Sequence, residues 1–138
     1  MKQRCKGVPS DAAHLPVLTE FLREFWSAAD LPPAQAAAFE LALEEVFMNV
    51  VMHGSPAGTT PWVEVSLSLT ADALTMTVED SGPQFDPLSL PPPDVTATLA
   101  ERRLGGLGVF LVRQVMDTVS YHRVGARNRL RMTKHIAG

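Results

Sequence analysis

At 138 residues, with 46% apolar residues and a net charge of −3, the chain can build one hydrophobic core but not two, so a single domain over residues 1–138 is expected. No run approaches the roughly 18 consecutive apolar residues of a membrane helix, and Met1-Lys2-Gln3-Arg4-Cys5-Lys6 lacks the apolar core of a secretion signal, so a cytoplasmic protein is expected. The acidic balance argues against general nucleic-acid binding, and the lone Cys5 excludes an internal disulfide or a cysteine metal cluster.

Residues 1–9 show no strand pattern. From about Pro16 to Ala29, apolar Val17, Leu18, Phe21, Leu22, Phe25 and Trp26 predict an amphipathic helix with a proline in its first turn. Asp30-Leu31-Pro32-Pro33 breaks it. A longer helix is predicted from Pro33 to about His53, stopped by Gly54-Ser55-Pro56. Val63, Val65, Leu67 and Leu69, then Leu74, Met76 and Val78, alternate with polar residues around Thr70-Ala71-Asp72, the pattern of an antiparallel hairpin with one wet face. A loop from Ser81 to about Leu104 follows, in which Pro87 and Pro91-Pro92-Pro93 forbid regular pairing. A helix from about Gly106 to Met116, a strand Thr118 to Val124, a turn Gly125-Ala126-Arg127-Asn128 and a strand Arg129 to Ile136 complete the chain. With no βαβ alternation, the simplest packing is α+β: one mostly antiparallel sheet covered on one face by helices. The basic residues Arg123, Arg127, Arg129, Arg131 and Lys134 read as the wet face of the last hairpin or as a dock for an acidic partner.

Chemistry concentrates in three places. On the second helix, Glu45 and Asn49 stand at i and i+4, about 6 Å apart on one face, with His53 continuing the stripe and apolar residues between them. A carboxamide oxygen is a hard ligand suited to Mg²⁺, and a carboxylate beside it can orient a water or accept a proton, a spacing that fits phosphoryl transfer. A core amide and a solvated edge carboxylate would explain the same pair. Glu44, about 140° around the helix from Asn49, is expected to face elsewhere. At the end of the second hairpin strand, Asp80-Ser81-Gly82-Pro83 places a carboxylate beside a glycine, where it can accept from an exocyclic amino group or simply form a turn. Leu104-Gly105-Gly106-Leu107-Gly108 opens a helix, a setting for phosphate or for close packing, with Arg102 and Arg103 just before it.

In order, Glu45-x-x-x-Asn49, Asp80-x-Gly82-x-x-Phe85-Asp86-Pro87, Gly105-Gly106-Leu107-Gly108 with Phe110-Leu111-Val112, Asp117, Tyr121 and Asn128-x-Leu130-x-Met132-Thr133-Lys134 resemble the GHKL ATPases, the superfamily of gyrase, histidine kinases and MutL. Within it the chain is similar to the stand-alone anti-sigma factor serine/threonine kinases, over about Val17 to His135. The resemblance implies a Bergerat-type two-layer α/β sandwich, with ATP and Mg²⁺ as cofactors. It implies Glu45 as general base, Asn49 on magnesium, Asp80 on the adenine amino group and Gly82 beside the ring. Gly105, Gly106, Leu107 and Gly108 would cradle the phosphates, Arg103 would approach them, Thr133 would hold adenine through water, and residues 84–104 would form a lid. His53 is read as a helix-end packing or capping residue or as a catalytic one. The implied activity is phosphorylation of an anti-anti-sigma (STAS-type) partner, with a sigma factor as second partner, no direct nucleic acid, and a homodimer as an allowed assembly. A nucleotide-sensing binding module without chemistry is the competing reading, and a detached histidine-kinase domain a third.

Overall fold

The computed structural model describes residues 2–53, 60–89 and 107–136. Five strands form one antiparallel sheet in the order β1-β2-β3-β5-β4: β1 (Lys2–Pro9), β2 (Trp62–Leu69), β3 (Ala73–Asp80), β4 (Thr118–Val124) and β5 (Arg127–His135). Among the described residues, helices α1 (Leu15–Ala28), α2 (Ala36–His53) and α3 (Leu107–Val115) form the second layer. This is the expected α+β arrangement, and the remaining sheet face is polar.

The alternation in the sequence explains which side is dry. Val63, Val65 and Leu67 of β2, Leu74, Met76 and Val78 of β3, and Leu130 and Met132 of β5 are all buried. Against them α1 packs Leu18, Leu22, Phe25 and Trp26, and α2 packs Phe39, Leu43, Val46, Phe47 and Val50. Spacings of three and four keep these side chains on one helical stripe.

Two expectations are corrected. Residues 2–9, in whose sequence the strand expected before the first helix was hard to see, form β1, paired with β2 from Lys2↔Leu69 to Pro9↔Trp62. The strand escapes a pattern search because it lies at the sheet margin and buries only Val8. Lys2, Arg4 and Lys6 are the kind of charge that keeps such an edge from pairing with other chains. Its Gly7 lies under an indole, since a Cβ there would stand 2.5 Å from the Trp62 ring.

The last hairpin turns earlier than expected. Val124 pairs with Arg127 across a two-residue loop whose first residue, Gly125, has φ +58, as a type II′ turn requires. Arg127 and Asn128 therefore belong to β5 rather than to the turn. The register then places Asn128 opposite both Asp80 of β3 and Arg123 of β4.

Candidate functional site

The site lies where the C-terminal half of α2 meets the ends of β3 and β5. Asp80 is 7% exposed and Asn128 4%, and both are polar, so both must be satisfied or costly. Asp80 Oδ1 accepts from Gly82 N at 2.9 Å and from Asn128 Nδ2 at 3.0 Å. Among the described residues Oδ2 has no hydrogen-bond partner. Burial pushes the Asp80 carboxyl above its ordinary range, while the bonds from Asn128 and Gly82 and the nearby Arg123 charge pull it back in part.

Asn128 is the hub. Its Nδ2 also donates to Pro83 O at 2.8 Å, and its Oδ1 accepts from Tyr121 Oη at 2.6 Å, Phe85 N at 3.1 Å and Arg123 Nη1 at 3.2 Å. Arg123 Nη1 further donates to Gly82 O at 2.9 Å. Burial raises the Tyr121 phenol above its usual value, Arg123 opposing and Asp86 adding to the shift. One carboxamide thus ties two strands to the segment after Asp80. There Asp86 Oδ1 accepts from Leu88 N at 2.8 Å and closes a short turn, Pro87–Ser89. His53 stacks on Phe85 with ring centroids 5.0 Å apart, a packing role at the end of α2.

Two cavities flank Asn49. A slot of about 20 Å³ is lined by Asn49, Val78, Asp80, Phe85, Asn128 and their apolar neighbours. A larger cavity of about 320 Å³ is lined by Leu15, Glu44, Glu45, Met48, Asn49, Met52, Gly108 and Leu111. Among the described residues the half-buried Asn49 carboxamide has no hydrogen-bond partner, so it is available to a ligand in either space. The Glu45 carboxylate lies against the first turn of α3, where a Cβ on Gly108 would stand 2.5 Å from Oε2. A glycine is needed for that approach. Glu44, expected to face elsewhere, is on the rim of the same cavity: its helical neighbours Met48 and Met52 line that space beside the Glu45–Asn49 stripe.

The structure therefore brings Glu45, Asn49, Asp80, Gly82 and Gly108 together around α2. It does not bring Thr133. Buried Asn128, Leu130 and Met132 point inward, so Thr133 falls on the opposite face of β5, where its hydroxyl bonds Thr75 Oγ1 at 3.0 Å. The expected role of Thr133 on adenine is thereby overturned by strand parity. Arg102, Arg103, Gly105, Gly106 and lid residues 90–104 lie outside the described residues, and Leu107 opens α3.

Counting by two back from Leu130 would have turned Asn128 inward and identified it. Arg123 hides among the basic residues but leaves them for the site. Arg129 and Arg127 instead bond Glu79 at 2.7 and 3.4 Å on the open sheet face, as wet-face residues would. Asp117 is structural, its Oδ2 accepting from His135 N at 2.6 Å. Among the described residues no three His, Cys, Asp or Glu side chains gather as a metal cage. A cation here would take Asn49 and a ligand's own oxygens, the habit of Mg²⁺.

Among the described residues, a half-satisfied buried carboxylate, an unpaired carboxamide and a carboxylate against the first turn of α3 stand together, an arrangement in keeping with the histidine kinase-like ATPase domains. Their family model matches residues 8–134, and the chain belongs to this family. It is 28% identical over 116 residues to the serine/threonine-protein kinase BtrW of Bordetella bronchiseptica, covering 84% of this chain and 78% of that one. It is 31% identical over 102 residues to the serine-protein kinase RsbW of Listeria monocytogenes, covering 70% of this chain and 64% of the relative. Among solved structures, the RsbU and RsbW domains of a Mycobacterium tuberculosis protein superpose with TM-score 0.70 at 13% identity, over 99% of this chain and 33% of that one. The chain thus spans about a third of that solved chain. No helix of the described residues is long and apolar enough to cross a membrane.

Proposed function

We propose that this protein is an ATP-dependent serine/threonine kinase that phosphorylates an anti-anti-sigma (STAS-type) partner and, through that modification, controls sequestration of a sigma factor in the cytoplasm. The observation that carries the reading is that Asp80, with Oδ1 saturated, and Asn49 line one slot, Asp80 Oδ2 and the Asn49 carboxamide both lacking a hydrogen-bond partner among the described residues. Residues 1–138 act as one domain in this reading, with residues 84–104 as its lid.

The residues fit ATP and Mg²⁺. Asp80 Oδ2 would accept from an exocyclic amino group, with Gly82 beside the ring. Asn49 contributes its amide oxygen to the metal. In this reading Gly108, in the first turn of α3, would offer its backbone N–H to the phosphates, Gly105 and Gly106 would do the same, and Arg103 would add positive charge. Bound together, nucleotide and metal supply a transferable γ-phosphoryl group whose charge is partly neutralised. Glu45 accepts the proton of the attacking serine or threonine hydroxyl as its oxygen bonds to phosphorus and ADP departs. Catalysis comes mainly from positioning. The names of the relatives, a serine/threonine-protein kinase and a serine-protein kinase, support the protein substrate.

Incubation with radiolabelled ATP, Mg²⁺ and the cognate anti-anti-sigma protein is expected to label a serine or threonine in an acid-stable bond, and Glu45→Gln to abolish the label. Undiminished transfer by Glu45→Gln would reject the base. Nucleotide binding with no transfer to any partner would make the protein a nucleotide-sensing module instead, and acid-labile phosphate would point to histidine chemistry.

A further inference from the structure

We propose that Phe85 is a gate on the base slot, held shut by its stack on His53 and by the bond from its amide to Asn128. The inference rests on the nucleotide reading above and concerns how the base enters. Most walls of the slot are regular structure: Val46, Asn49 and Val50 from α2, and side chains of β3, β4 and β5. These are tied by helix and ladder hydrogen bonds, so they are expensive to displace. Phe85 and Pro87 form the remaining wall, and they belong to the irregular segment after β3.

The free volume is about 20 Å³, room for about one water. A fused two-ring base is many times larger. Space is gained most cheaply where the wall is least tied. Asn128 and Arg123 hold the backbone at Pro83 and Gly82 through 2.8 and 2.9 Å bonds, which makes that end the pivot. Beyond it, among the described residues, Phe85 is held by its amide, 3.1 Å from Asn128 Oδ1 and also bonded to the Tyr121 hydroxyl, and by the His53 ring. Asp86 closes the next turn on itself, so Asp86 to Ser89 can travel as one body, against the packing of buried Pro87 and of Leu88 on the core and a 3.4 Å contact from Arg113 Nη2 to Leu88 O.

His53 is then the latch. It stands on the last turn of the helix that also carries Asn49 and Glu45, so outward movement of Phe85 is felt on that helix. A gate closed most of the time lowers the apparent affinity by the fraction of time it is open. Asn128 is a positioning residue in this device: it fixes the pivot and the Asp80 carboxylate with the same amide.

The test uses the full chain with Mg²⁺ and a fluorescent adenine nucleotide. Stopped-flow mixing is expected to show association about tenfold faster for Phe85→Ala and about threefold faster for His53→Ala, the scale of one lost aromatic contact, with dissociation changed less. In wild-type protein, hydrogen exchange at the Phe85 amide is expected to accelerate on saturation with nucleotide while that of β3 and β5 does not. Wild-type association rates in both variants, or unchanged Phe85 exchange at saturation, would overturn the gate and leave the functional reading standing. Absence of nucleotide binding in wild type and variants alike would overturn the functional reading itself. Should Phe85→Ala not fold, the wild-type exchange measurement decides the matter.

Discussion

Asn128→Asp changes one atom pair and tests the central network directly. The amide nitrogen donates to Asp80 Oδ1 and Pro83 O, so an oxygen in its place turns two attractions into two oxygen–oxygen contacts at 3.0 and 2.8 Å. Leaving each buried partner unsatisfied costs about 1–3 kcal/mol. Two ionised carboxylates about 3 Å apart would add about 5 kcal/mol at an effective dielectric near 20. Two things temper that sum. Arg123, 3.2 Å from Oδ1, stays beside the new charge. The pair can also hold one proton between its oxygens, restoring a hydrogen bond. A net loss of about 3–5 kcal/mol at pH 8 is expected. The sign with pH follows from the proton. The folded pair keeps its proton to higher pH than the unfolded carboxylates, so the folded state binds more protons and the variant loses stability as pH rises. Urea unfolding followed by circular dichroism from pH 5 to pH 8 should therefore show a deficit against wild type that is smallest at the acid end. A deficit that does not change with pH, or a variant as stable as wild type at pH 8, would refute the assignment of Asn128 as donor to Asp80.

Asp80→Asn should lose adenine-nucleotide affinity by calorimetry yet melt no lower than wild type at neutral pH. Burial raises the carboxyl, so its ionised form opposes folding, and the variant's advantage should fade as pH falls toward the unfolded carboxylate value. A lower melting temperature with intact binding would contradict this. Gly108→Ala forces a methyl to within 2.5 Å of Glu45 Oε2, and displacing that carboxylate should slow phosphoryl transfer about 100-fold, measured by initial rates on a native-like fold. Thr133→Val removes only the outer-face bond to Thr75, so nucleotide affinity should stay within about twofold and stability within about 1 kcal/mol; a large affinity loss would return Thr133 to the site.

The fold was legible wherever burial leaves a period. Helix α1 and the β2–β3 hairpin bury regular stripes, and their expected and observed limits differ by a residue or two. Strand β1 buries one side chain near its end, so backbone pairing rather than side-chain alternation defines it. In the site, Glu45 and Asn49 could be read from helical spacing, because both positions depend on one element. Asp80 was readable as a carboxylate at a strand end, but not which oxygen would be free, since that depends on Asn128 forty-eight positions away. The Thr133 assignment failed for a related reason. With β5 begun two residues late, Asn128 fell in a turn, and the role on adenine that the resemblance implies went to Thr133. The register of β3 with β5, set by backbone pairing, decides between them.

Trp62 makes the molecule its own spectroscopic probe. Its indole is 49% exposed across Gly7, while its backbone is clasped to the residue following Asp80, Trp62 N to Ser81 Oγ at 2.9 Å and Ser81 N to Trp62 O at 3.1 Å. The other tryptophan, Trp26, is 7% exposed and donates to Pro32 O, so it emits from a fixed apolar setting far along α1. The intrinsic emission is thus split by position into a blue component that records the integrity of the helical layer and a red component that records events at the mouth of the site. Occupancy and unfolding can be followed separately in unlabelled protein.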